Sequence, residues 1–188
     1  MIGCHGRYHT MFVVDTVEYI LQSLSYDART VELGKLAALL HDIGIIAGRK
    51  NHAQKSAALA VVFLDETARV LPKEKDIIIN AIYNHSEGES ISNAPGAALL
   101  IADKIDLSRK RLLPDKTHDD WHKNIMEIEN VNITISGNEI SIIYLTTDKF
   151  SEKIFAHEGA KYQSIPQRAA KFLNCACRFQ INSEERNC

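Results

Sequence analysis

A histidine and an aspartate stand side by side at the end of an apolar run in Leu39-Leu40-His41-Asp42-Ile43-Gly44. The spacing of Leu36, Leu39, Leu40 and Ile43 predicts an amphipathic helix that carries both polar side chains into the core. Burying an unpaired carboxylate is expensive, and burying an imidazole without a partner also costs free energy. A metal ion relieves both costs, because it supplies positive charge and takes the lone pairs. A chain built around this stretch is therefore expected to bring further ligands to it.

The remaining periodicity supplies them. Val13, Val17, Ile20, Leu21 and Leu24 predict a first helix over 8–24, with His9 on its inward face. Thr30 is expected to cap the second helix, and Gly44 to end it in a left-handed conformation. A third helix is expected over 51–70, its inward stripe running from His52 through Ser56, Leu59 and Phe63. Pro72 opens a fourth, whose inner face of Ile78, Ala81 and Ile82 continues to His85. Pro95 opens a fifth that carries Asp103 on its apolar stripe beside Leu99, Leu100 and Leu107. No inward-facing Arg or Lys is evident to meet this second buried carboxylate. Loops are expected over 45–50 and 86–94.

After Pro114 the pattern changes. An amphipathic helix over 117–130 would use Trp121, Ile125 and Ile128. Segments 131–136 and 140–145 alternate with period two around Gly137-Asn138, a hairpin signal. Helices are expected around 150–160 and from Pro166, the latter using Ala170, Leu173 and Cys177, before a polar tail from Asn182. The expected fold class is mainly α: a metal-binding helical core over 1–114, and an extension over 115–188 of a helix, a β-hairpin and helices packed on the same domain.

The chain's 188 residues suffice for a core without staples. A net charge of −2 gives no general attraction to a nucleic-acid polymer or an anionic membrane. No apolar run approaches the length of a membrane span, and the N-terminus lacks a signal-peptide layout, so the cytoplasm is the expected location. Cys4, Cys175, Cys177 and Cys188 show no Cys-x-x-Cys spacing and read as reduced, structural thiols.

In order, the inward candidates are His9, His41, Asp42, His52, His85 and Asp103, one or two on each of five successive helices. Over residues 7–111 this H…HD…H…H…D pattern resembles the HD-domain superfamily of metal-dependent phosphohydrolases. The resemblance implies a first divalent ion on His9, His41, Asp42 and Asp103, and a second on His52 and His85, with Asp42 bridging. Imidazole and carboxylate ligands suit iron or manganese, with zinc, cobalt or nickel open. The implied chemistry is attack on phosphorus by a hydroxide bridging the two metals, with Asp42 orienting it. The implied partner is a small phosphorylated substrate, a nucleotide above all; a homodimer stays open. Arg7, Lys104 and Arg109 are the cations expected to meet the substrate.

Many members of the superfamily have lysine after His-Asp-x-Gly, where this chain has Ile45, and no Gly-Tyr-Pro is present. The first departure removes a catalytic or phosphate-binding role for that lysine; the second, with a single His85 in place of a neighbouring pair, argues against a cyclic-di-GMP phosphodiesterase. The segments 84–88 and 102–109 look like stretches of bacterial diadenosine tetraphosphate hydrolases. Two other readings share the ligand string: a di-iron oxygenase of the HD type, and a non-catalytic metal- or nucleotide-binding module.

Overall fold

The computed structural model describes residues 6–67, 69–86, 90–112 and 119–183. Helix α1 (Arg7–Ser23) buries Val13, Val17, Ile20 and Leu21 completely, as their spacing requires. Helix α2 (Ala28–Leu40) is capped by Asp27 and not by Thr30: the Asp27 carboxylate accepts the Thr30 N–H at 3.0 Å. Asp27 has the extended backbone of an N-cap, whereas Thr30 already lies within the helix.

Helix α3 (His52–Asp65) is shorter than the predicted 51–70, and its buried side is Ala53, Ser56, Ala57, Ala60 and Leu64. Leu59 and Phe63 are 39% and 51% exposed, so the expected stripe is corrected. Small alanines let α3 lie close to its neighbours, a fit that hydrophobicity alone does not signal. Helix α4 (Pro72–Asn84) opens at Pro72 and buries Ile78, Ala81 and Ile82, as expected. Helix α5 (Ala94–Ile105) has Asn93 as its N-cap, whose side chain accepts the Gly96 N–H at 2.8 Å. It is buried on almost every side and packs against α1, α2 and α4, which makes it the axis of the helical core.

The second half wraps this axis. Helix α6 (Asp120–Met126) is shorter than the predicted 117–130, and the expected start at 117–118 lies outside the described residues. Strand β1 (Ile128–Ser136) takes over at Ile128 and pairs antiparallel with β2 (Glu139–Thr146), from Ser136 opposite Glu139. Gly137 makes the turn at φ +55°. Helices α7 (Glu152–Glu158) and α8 (Ala160–Phe172) follow, and α8 packs along α5.

Two expectations fail here. Pro166 lies inside α8 and does not open it. Cys177 and Asn182, read as helix and tail, belong to a third strand, β3 (Ala176–Ser183), parallel to β2 with Tyr144 opposite Ile181. Asn174, at φ +58°, ends α8 and redirects the chain into that strand. The sheet order is β1-β2-β3. Trp121 stacks on Phe155 and Tyr162, and Tyr144 meets Phe155 and Phe179, so an aromatic layer joins sheet to helices. Cys175 and Cys177 are free thiols; Cys4 and Cys188 lie outside the described residues. Among the described residues, no helix is long and apolar enough to cross a membrane.

Candidate metal centre

The chain leaves α2 at the point where the ligands are needed. His41 keeps helical dihedrals (φ −57°, ψ −32°), and Asp42 turns to φ −111°, ψ 6° ahead of a 3-10 turn over Ile43–Ala47. His41 and Asp42 thus follow the helix and do not occupy its last turn. Gly44 is not left-handed; contact with the start of α3 requires it. A Cβ there would lie 2.3 Å from Ser56 N and 2.7 Å from His52 O. Its N–H donates to Ser56 Oγ at 2.9 Å, which pins α3 and carries His52 to the site. Asn51 enters α3 in the left-handed region, φ 56°, which Asn tolerates.

All six predicted ligands converge. His9 Nε2 and His41 Nε2 face each other at 3.3 Å, and lie 3.6 and 3.0 Å from Asp42 Oδ2. Asp103 Oδ1 lies beside this group, 3.3 Å from His9 Nε2. His52 Nε2 and His85 Nε2 face each other at 3.1 Å, and lie 3.6 and 3.5 Å from Asp42 Oδ1. The two oxygens of one carboxylate therefore serve two histidine pairs. His9, His41 and Asp42 form one cluster able to hold a metal ion and Asp42, His52 and His85 a second, with Asp42 common to both.

The outer ring nitrogens explain why the inner ones point together. Nδ1–H of His41 donates to Ala38 O at 2.7 Å, that of His85 to Ile82 O at 2.6 Å, and that of His52 to Arg49 O at 3.1 Å. A carbonyl only accepts, so each of these rings carries its proton on Nδ1 and leaves the Nε2 lone pair inward. His9 is fixed differently: its Nδ1 meets Asp106 Oδ2 at 2.7 Å. Lone pairs facing at about 3 Å repel unless a proton or a cation lies between them. Four imidazole nitrogens with carboxylate oxygens form a donor set of the kind that divalent transition ions take, so the residues present fit such ions.

Charge around the site is balanced from one side. Lys104 Nζ lies 2.6 Å from Asp103 Oδ2, and Arg111 NH2 lies 3.6 Å from Asp103 Oδ1. The expectation that no inward cation meets Asp103 is thus corrected. Helix α5 ends at Ile105, and a second 3-10 turn, Arg109–Arg111, brings buried Arg111 back to the helix end. There its NH1 donates to the carbonyls of Asp103 and Asp106 at 3.2 and 3.1 Å. Arg109–Arg111 therefore do not continue α5. Burial opposes the charge on Asp103, but Lys104, His9 and Arg111 outweigh it and hold the carboxyl well below its usual range. Burial likewise opposes charge on His9, yet hydrogen bonds to Asp103, Asp106 and Asp42 raise it to about 10. Burial lowers His85, which favours the neutral ring a metal requires.

The three cations expected at the substrate are placed unequally. Lys104 is engaged with Asp103, and Arg109 pairs with Glu129 at 2.8 Å. Arg7, the first residue of α1, is exposed and lines an open cleft with Tyr8, Met11, Phe12 and Asp15. Asp106, Arg111 and Ser86 were not foreseen. The Ser86 hydroxyl lies 3.1 Å from His52 Nε2. Asp106 follows Asp103 by three residues, which is the one signal that could have found it.

A helical core whose ends and turns bring two histidine pairs to one shared carboxylate is a domain built to offer a buried donor set that could hold metal ions. The HD domain family model matches residues 6–127. The chain belongs to the HD domain family. No curated protein matches the sequence.

Proposed function

We propose that this chain is a metal-dependent phosphohydrolase that cleaves a phosphoester or phosphoanhydride in a nucleotide or other small phosphorylated metabolite. One observation carries the reading: the two oxygens of Asp42 each face a separate histidine pair. His9, His41, Asp42 and Asp103 would hold one divalent ion, and His52 and His85, with Asp42 shared, a second. Such ions, when bound, supply Lewis acidity that acidifies water and neutralises charge growing on phosphoryl oxygens.

The chain's own part is to hold this arrangement before substrate arrives. The main-chain carbonyls of Ala38, Ile82 and Arg49 fix three rings, so little reorganisation is left for the reaction itself. Lys104 and Arg111 keep the Asp103 carboxylate ionised and available as a ligand. Exposed Arg7 is the cation we assign to the substrate's phosphate. Likeness of 84–88 and 102–109 to diadenosine tetraphosphate hydrolases makes dinucleoside polyphosphates the first substrates to try, with the cytoplasm as the setting.

The test is phosphate release from mono- and dinucleotides by protein loaded anaerobically with manganese(II) or iron(II), with His41→Ala as the control. Release that disappears in the control supports the hydrolase. If the iron-loaded protein releases nothing from any of them yet consumes oxygen with an organophosphonate, the oxygenase reading takes its place.

A further inference from the structure

The four imidazoles are not held alike. Three give Nδ1–H to a main-chain carbonyl, a neutral acceptor, whereas His9 gives it to the carboxylate of Asp106 at 2.7 Å. Asp106 is fully buried. It sits at φ −73°, ψ 77°, where Leu107 N–H returns to Ile105 O at 2.8 Å, an inverse γ-turn that ends α5. The turn keeps Asp106 on the side of Asp103 while freeing its backbone from the helix. Arg111 holds the Asp106 carbonyl at 3.1 Å. Arg111 thus fixes the Asp106 main chain, and the carboxylate meets the His9 ring through Oδ2.

A carboxylate behind a histidine sets the tautomer and makes the other nitrogen a better donor than a carbonyl does. The asymmetry extends to the surroundings of each half. The His9 half groups two imidazoles with Asp42 Oδ2, and Asp103 Oδ1 stands beside that group, 3.3 Å from His9 Nε2. The His52 half offers two imidazoles and Asp42 Oδ1, and the His52 side chain is 24% exposed. Building on the metal-centre reading above, we propose that Asp106 is a positioning residue that makes the two metal positions unequal. The His9 half retains its ion tightly, and the His52 half exchanges its ion with solvent. Asp106 acts through His9 and touches neither ion.

The experiment is a calorimetric titration of metal-free protein with zinc(II), applied to the wild type, Asp106→Asn, His9→Ala and the double variant. Wild type is expected to bind in two resolved steps. Asp106→Asn, which keeps the shape and removes the charge, is expected to weaken the tighter step about 10–100-fold and leave the weaker one in place. In the His9→Ala background, Asp106→Asn is expected to change nothing further, because the effect passes through that ring. A structural role would weaken both steps together and would persist without His9; that result overturns the proposal, as does an Asp106→Asn titration matching wild type. Wild type that takes no zinc overturns the metal-centre reading instead.

Should the variant not fold, 15N NMR of the imidazoles in the zinc-loaded wild type decides the matter. A protonated, hydrogen-bonded Nδ1 on His9 with metal at Nε2 supports the proposal. Metal at Nδ1 overturns it.

Discussion

At the scale of single residues, Asp42 carries the most. Each of its carboxylate oxygens faces a different histidine pair, so its loss should empty both positions while loss of an outer ligand empties one. Asp42→Ala is expected to bind no metal, and His85→Ala to bind one ion where wild type binds two, as counted by elemental analysis after equilibrium dialysis against zinc(II). The six positions that meet at the candidate centre were legible in the sequence for a common reason. Each is a polar group on an otherwise apolar helical face, where its cost demands a partner. Asp106 and Arg111 were not, because both lie beyond the end of α5, where helical periodicity no longer says which way a side chain points. The absence of an apparent counter-charge for Asp103 was the same error: Lys104 adjoins it in sequence and folds back, and Arg111 returns through a turn.

At the scale of elements, the site depends on how α3 docks. Gly44 and Ser56 are the contact, and the atoms nearest a Gly44 Cβ are backbone atoms that cannot swing away. Gly44→Ala is expected to destabilise the protein by about 1–3 kcal/mol or more, the usual cost of overpacking, and to weaken metal binding at His52. Thermal melting and zinc titration read the two effects. A second link ties α2 to α4 across the surface: Arg29 donates to both oxygens of Glu74 and to Arg69 O. The Arg29 guanidinium lowers Glu74 to about 2 from an ordinary 4.5. A folded-state value below the unfolded one stabilises above pH 4.5, and that stabilisation is lost as pH falls from 4.5 towards 2. The fall in Tm over that interval is expected to be smaller in Glu74→Gln than in wild type.

Elements were read from sequence with uneven success for physical reasons. Helices α1, α2, α4 and α5 announce themselves through broad apolar stripes or proline starts. Helix α3 hides its inner side in alanines, and β3 was missed although Cys177, Phe179 and Ile181 alternate with Arg178 and Gln180. Pro166 drew the reading towards a helix start, and Asn174, the true stop, is a residue whose left-handed backbone composition alone does not mark.

At the scale of the whole molecule, the C-terminal half supports the site from behind. Helix α8 lies along α5, the helix that carries Asp103, with Ala169 and Ala170 fully buried. Ala169→Leu inserts side-chain volume into that packed face, and a loss of about 1–3 kcal/mol is expected in denaturant unfolding. From β2, Tyr144 reaches into the same interior. Burial raises its hydroxyl most, and the charges of Cys177 and Asp106 add to the effect. The charge of Asp106 is thus felt on the sheet, at Tyr144.

The parallel pairing of β3 with β2 has a consequence for how the molecule breathes. The β1-β2 hairpin closes through a two-residue turn, whereas β3 reaches β2 only after the chain has passed through α7 and α8. Such a distant pairing forms late and opens early, and as an edge strand β3 is held by a neighbour on one side alone. In native-state hydrogen exchange, the amides of β3 should lose protection before those of the hairpin, while the amides of α5 keep theirs until the protein unfolds as a whole. Fraying of the sheet's far edge would then be an ordinary motion of this protein, one that leaves the histidine cluster undisturbed.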